Sequence, residues 1–300
     1  MTSLDVKNTV FVHGNNIQQK KLSKGKYNDD KSKEYLREIE ERYNIWKERN
    51  NSLKGPYCDS TNEQGDLRII SERVRLLNEY KDYIDDRKYA EHFDSRSNLH
   101  SSVLEEFMYY LFKDMVNEIS PNALIGKTHS FKDIFFRSLS FKDMVTKPSA
   151  IIETKDHDFS IGITVNAKMK VNGSLIDENH LWDIPALAIE CKTYLDKTML
   201  QDVSTAAEQI KLKNPNAVYI VVSEWIKLTE SVNLKKYKVD QIYILRKQKN
   251  TDREFRYKDG YVKNPIYDDV IFHLFNTVRD FLTNEWDSGV AFGLHNGYLI

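Results

Sequence analysis

The chain has 300 residues, 40% of them hydrophobic and 30% charged, with 44 Lys and Arg against 45 Asp and Glu and a formal net charge of −1. This suits one large domain or a core with an appendage, and it excludes a protein that coats nucleic acid by bulk positive charge, though not one with a local basic cleft. No apolar run nears the roughly 20 residues of a membrane helix. The N-terminus carries no apolar signal segment, and two cysteines, Cys58 and Cys191, suit a reducing, cytoplasmic setting.

Residues 1 to about 33 are polar and rich in Lys and Asn apart from a short VFVHG stretch, which reads as a strand within an arm or lid. From Lys33 the pattern turns helical, with Leu36, Ile39, Tyr43, Trp46 and Leu53 near one face. The stretch 54–65, KGPYCDSTNEQG, is a loop. A second helix follows, striped by Ile70, Val74, Leu77, Tyr80 and Ile84. The two predict an antiparallel pair that serves as scaffold or as a DNA contact. A third helix spans about 100–118. Ser101 or Ser102 caps it, and Glu105 stands at capping-box spacing from Ser102. Leu104, Phe107, Met108, Leu111 and Met115 form its apolar face, with Glu105 at the edge and Glu106 directed away.

Short strands come next. Residues 161–171 alternate apolar and polar, and Asn172-Gly173 is a tight-turn signal. The chain returns through an irregularity at Trp182-Asp183-Ile184-Pro185 into 186–192, ALAIECK, apolar on both sides as in a covered sheet. Asp196 caps a helix over about 197–213, ended by Asn214-Pro215-Asn216. Strands at 217–222 and 240–245 and a helix over about 266–285 complete the pattern. The order predicts an α/β fold, a central mixed sheet flanked by helices, with an N-terminal helical region over 1–99 and a core over 100–300.

On a strand, residues two apart face the same side, so Glu190 and Lys192 project together while Leu187, Ile189 and Cys191 pack opposite. One carboxylate seldom holds a hard cation, so a second acid is needed. Asp158, on the preceding strand, is the candidate, with Asp156 the alternative. A strict hairpin closed at Asn172-Gly173 places Asp158 opposite Leu187, roughly 10 Å from where Glu190 needs it. The irregularity before Pro185 is a source of offset. Two acids and a lysine suit phosphodiester hydrolysis: the acids hold magnesium, and the lysine orients water or stabilises developing charge. Glu105 is the preferred further acid. Glu153-Thr154-Lys155 repeats the Glu-x-Lys spacing after an apolar run and competes with Glu190; a plain ion pair explains either triplet.

The arrangement Asp158 … Glu190-x-Lys192 resembles the PD-(D/E)xK nuclease superfamily. Longer segments, HGNN (13–16), LEEFMYYLFKDMV (104–116), KDHDFSIG (155–162) and AIECKTYLDKTML (188–200) followed by NPNAVYIVVSEW, resemble the Type II restriction endonucleases with two different subunits, of which BbvCI is an example. The resemblance implies a magnesium-dependent endonuclease acting on a short, asymmetric site in double-stranded DNA, with a homologous partner subunit (or a second copy) and one strand cut per subunit. It assigns metal binding to Asp158 and Glu190 and the catalytic lysine to Lys192, with Glu105 or Glu106 as the helix acid. His157 stands where the superfamily name has proline. The alternatives are a repair or structure-directed nuclease of the same superfamily, or a non-catalytic DNA-binding subunit.

Lys168 and Lys170, and the basic stretches 234–239 and 246–258, are candidates for a DNA-facing surface or for ordinary solvated surface. His13 reads as a loop residue. The histidines and cysteines show no zinc spacing, and no GxxxxGK[ST] stretch is present, so ATP-driven activity is not indicated.

Overall fold

The computed structural model describes residues 10–59, 61–93, 97–249, 257–286 and 290–297. Helices come first: α1 (Val12–Leu22), α2 (Asp30–Ser52), α3 (Glu63–Ile84), α4 (Arg87–His92) and α5 (Ser102–Ile119). Then follow β1 (Leu124–Phe136), the short α6 (Phe141–Met144), β2 (Ala150–Lys170) and β3 (Asp177–Leu195). The chain continues through α7 (Lys197–Lys213), β4 (Val218–Ile226), β5 (Gln241–Ile244), α8 (Asp268–Thr283) and α9 (Val290–Asn296). The sheet order is β1-β2-β3-β4-β5, antiparallel across β1–β3 and parallel across β3–β5. This is the mixed, helix-flanked sheet that the pattern predicts.

The α2 and α3 stripes meet as expected. Asp29 caps α2 by accepting from the Ser32 N–H at 2.9 Å. Trp46 stacks on Tyr80 with ring centroids 5.2 Å apart, while Arg73 reaches back to the Asn50 carbonyl at 2.9 Å, so the helices run antiparallel. One hydrophobic cluster joins these helices to α5, α8 and the β3 side chains Leu187, Ile189 and Cys191. A second, under α7, takes Ala188 from the other face of β3 and Leu195 from the strand's last position. The period-2 reading of β3 therefore holds. Strand β1 and the first half of β2 were not resolved as distinct strands by the sequence pattern.

The N-terminal stretch departs from expectation. Val12 to Leu22 is helical, not a strand, and α1 packs on α5 and α2 rather than hanging as a free arm. Its buried face is short, namely His13, Gly14 and Ile17. What ties it down is polar, and no hydrophobic period announces that. Gly14 is needed for close approach: a Cβ there would come within 2.7 Å of Tyr43 Cζ.

The β2–β3 register answers how Asp158 reaches Glu190. Residues 171–176 form a loop wider than a two-residue turn, so Lys170 pairs with Asp177. This moves the register two residues from a strict hairpin. A bulge between Gly162–Pro185 and Ile161–Leu187 adds the third. Phe159 pairs with Ile189, and Asp158 and Glu190 come next along the two strands. Gly162 permits the bulge, since a Cβ would run into the Ile184 carbonyl oxygen and lie 2.8 Å from Pro185 Cα. Gly162→Ala is expected to cost about 1–3 kcal/mol in a urea denaturation, the usual penalty for overpacking.

Candidate active site

Asp158, Glu190 and Lys192 form one cluster. The Cys191 N–H donates to Asp158 Oδ2 at 2.9 Å, which fixes the aspartate across the strand pair. Lys192 Nζ donates to Glu190 Oε1 at 2.6 Å and lies 3.7 Å from Asp158 Oδ2. All three side chains keep 18–26% of their surface exposed, so the cluster opens to solvent.

Glu105, nearly buried on α5, is the further acid of this group. Burial and then the charge of Asp158 push its carboxyl up to about 8. Burial and then Glu190 push Asp158 up to about 6. Burial pulls the Lys192 ammonium down, but Asp158 and Glu190 outweigh it and hold its proton above the ordinary lysine range. Asp158 and Glu190 lie at contact distance from one lysine, and the charges of Glu105 and Lys127 also act on the cluster. The cluster is short of positive charge and its donors are oxygens, the set a hard divalent cation prefers. Among the described residues no three His, Cys, Asp or Glu side chains have closed into a metal cage; the Lys192 ammonium stands between two of the acids.

Two neighbours were missed by sequence reasoning. Tyr219 on β4 donates its O–H to Glu190 Oε2 at 3.3 Å, and Nδ1 of the buried His157 lies 3.3 Å from the Tyr219 hydroxyl oxygen. Burial lowers His157 to about 4, so it is neutral near pH 7. Its Nδ1–H can then serve the tyrosine oxygen, whose own proton is committed to Glu190. The signal for Tyr219 is the parallel pairing of Ala188 with Tyr219, which puts Tyr219 on the Glu190 face.

Glu106 does not point to solvent. It is fully buried and accepts from the His13 N–H (3.0 Å), the Gly14 N–H (3.1 Å), Tyr43 O–H (2.9 Å) and Tyr110 O–H (2.8 Å). Adjacent helical residues diverge by about 100°, so Glu105 reaches the sheet while Glu106 holds α1. Ser101 makes no side-chain cap on α5. Ser102 Oγ instead meets His13 Nδ1 at 2.9 Å, and His13 Nε2 lies 2.6 Å from Tyr80 O–H. His13 is thus a buried helical residue rather than a loop residue.

The competing triplet lies elsewhere. Glu153, Lys155 and Asp156 are exposed; Glu153 pairs with Lys132, and Asp156 lies 2.6 Å from His129. Asp196 Oδ1 caps α7 by accepting from the Met199 N–H at 2.8 Å. Lys168 pairs with Asp177 at 2.6 Å. In the basic stretches, Tyr237 and Arg246 are buried, which removes them from any surface; residues 250–256 lie outside the described residues. Cys58 and Cys191 are both free thiols. Among the described residues no helix is long and apolar enough to cross a membrane.

Residues 96–299 match the family model of the Bpu10I restriction endonuclease. This chain belongs to the Bpu10I restriction endonuclease family. It is therefore a site-specific deoxyribonuclease of the Type II restriction class. The fold of this family member is also similar to a solved chain described as "native BbvCI A2B2 tetramer at low resolution". The TM-score is 0.65 at 18% identity, covering 93% of this chain and 98% of that one. No curated protein matches the chain.

Proposed function

We propose that this Bpu10I-family chain is a catalytic subunit that hydrolyses one strand of a short asymmetric DNA site with magnesium, beside a homologous second subunit. The observation that carries it is the contact of Asp158, Glu190 and Lys192 across a bulge-set register, with Glu105 facing the same cluster. An ion pair alone needs neither the second strand's acid nor the helix acid. The tetramer named for the BbvCI structure supports the partner. In this reading residues 100–300 are the nuclease core and residues 1–99 frame it.

Asp158 and Glu190 would hold the cation, with Glu105 completing or buttressing the set. When bound, magnesium supplies positive charge beside the scissile phosphate and makes water a competent nucleophile near neutral pH. Lys192 orients that water or meets the charge that grows on the phosphate oxygens. Tyr219 and the neutral His157 hold Glu190 in place from the far side.

The test is cleavage of phage DNA with magnesium, with and without a candidate homologous subunit. Discrete fragments, or a single nick, are expected, and chelation should stop them. Protons compete with the cation for Asp158 and Glu105. With those carboxyls at about 6 and about 8, cleavage at limiting magnesium should rise as pH climbs between those values. More magnesium should move the rise to lower pH. Cleavage indifferent to chelation would overturn the metal reading, and end-dependent degradation would overturn the site-specific one.

A further inference from the structure

Beside the acids, α1, the Asn98 turn and β1 enclose an open cleft of about 560 Å³. Its lining includes Asn16, Gln19 and Lys20 of α1, Asn98, Lys127 of β1 and, at one end, Glu105. We propose that this cleft binds backbone phosphates of the DNA strand entering the active site, with Lys20 and Lys127 as the phosphate contacts; this rests on the nuclease reading of Asp158, Glu190 and Lys192.

Among the described residues, the buried cations elsewhere are matched by acids: Lys81 and Arg246 by Glu224, Arg279 by Asp66, Arg73 by Asp114. Lys20 and Lys127 are also partly buried, yet neither lies within salt-bridge distance of a carboxylate among the described residues. Lys20 instead donates to Asn16 Oδ1 and lies over the Tyr27 ring at 5.9 Å. Burial lowers its ammonium to about 8. Lys20 and Lys127 make no salt bridge among the described residues, Lys127 acting on Glu105 and Asp158 only from further off, and the rest of the lining is mostly amides and hydroxyls; two such ammonium groups suit an acceptor-only anion and make the usual contacts to DNA phosphates.

Position names the anion. Glu105 is the one carboxylate in the cleft lining and belongs to the active-site cluster. A ligand filling the cleft is thus continuous with a phosphodiester at Asp158 and Glu190, as a nucleic-acid strand is and a free small anion is not. The α1 wall is held by two buried bonds, Glu106 accepting from the His13 and Gly14 N–H groups, and by an exposed one in which Asn16 Nδ2 donates to the Asn98 carbonyl at 2.9 Å.

The experiment measures binding of a short labelled duplex of arbitrary sequence by fluorescence anisotropy, without divalent cation, across a salt series. Lys20→Gln and Lys127→Gln should each weaken binding several-fold, and each should reduce the slope of log K against log salt by about 0.9, one released counterion apiece. Lys20→Arg should restore the slope, and Lys33→Gln, on the exposed face of α2, should leave it alone. Wild-type slopes in both glutamine variants, with unchanged thermal midpoints, would overturn the cleft. So would a loss no larger than that of Lys33→Gln. No cleavage enters this measurement. Slopes that stay at wild type while cleavage still depends on Lys192 refute the cleft alone. Slopes that fall in a chain that never cleaves keep the cleft and refute the nuclease reading.

Discussion

Lys192→Ala should lower magnesium-dependent cleavage by about 10²–10³-fold, the cost of losing one preorganised group aimed at developing charge. Binding of DNA should change far less, since one ammonium is a small share of a polyanion's contacts. Lys192 has two duties in the geometry described. It donates to Glu190 at 2.6 Å and partly offsets Asp158 at 3.7 Å. A purely structural ion pair makes the opposite forecast: the thermal midpoint drops and cleavage per folded molecule stays at wild type. Lys192→Arg sharpens the contrast. The guanidinium keeps the charge but is planar and bulkier, so it should recover stability and little of the rate.

Glu224→Ala should be the most damaging single change to the fold. Glu224 is fully buried between Lys81 Nζ at 2.8 Å and Arg246 Nη2 at 2.9 Å, and both cations are themselves fully buried. Arg246 also donates to the Asn264 carbonyl at 2.7 Å, and Lys81 to the His100 carbonyl at 3.1 Å. One carboxylate thereby joins α3, β4, the chain after β5 and the turn that leads into α5. Removing it leaves the buried Arg246 without a carboxylate and Lys81 with only Asp85 at 3.5 Å, for an expected loss of about 3–5 kcal/mol. Urea midpoints of wild type and variant measure this. Glu230→Ala, at a pair exposed to solvent with Lys249, is the comparison and should leave the midpoint in place. Equal midpoints for all three proteins would mean that the network adds nothing.

Much of this architecture is visible in side-chain periodicity. The α2, α3, α7 and α8 stripes and the alternation of β3 are local patterns, and packing followed them. Asp196 announced its cap because a short acid before an apolar run does one thing well. The site was half legible. Glu190 and Lys192 share a face by parity alone. Asp158 needed a register shift built from a wide loop and a bulge, and neither length is encoded in the strand pattern. Glu106 and His13 misled for a physical reason: their burial depends on hydrogen bonds between segments 93 residues apart, and apolar periodicity carries no trace of such partners. Arg246 looked like surface because its acid lies 22 residues upstream.

The side-by-side glutamates of α5 set a limit on how this chain can change in length. One serves the acids of the sheet and its neighbour anchors the amino-terminal helix, about 100° apart around the same axis. A residue gained or lost between Ser102 and Glu105 would swing both at once, stripping one assembly and misdirecting the other. A longer link between α7 and β4 would turn neither glutamate. The rotational phase of α5 is held at both sides and leaves no such freedom.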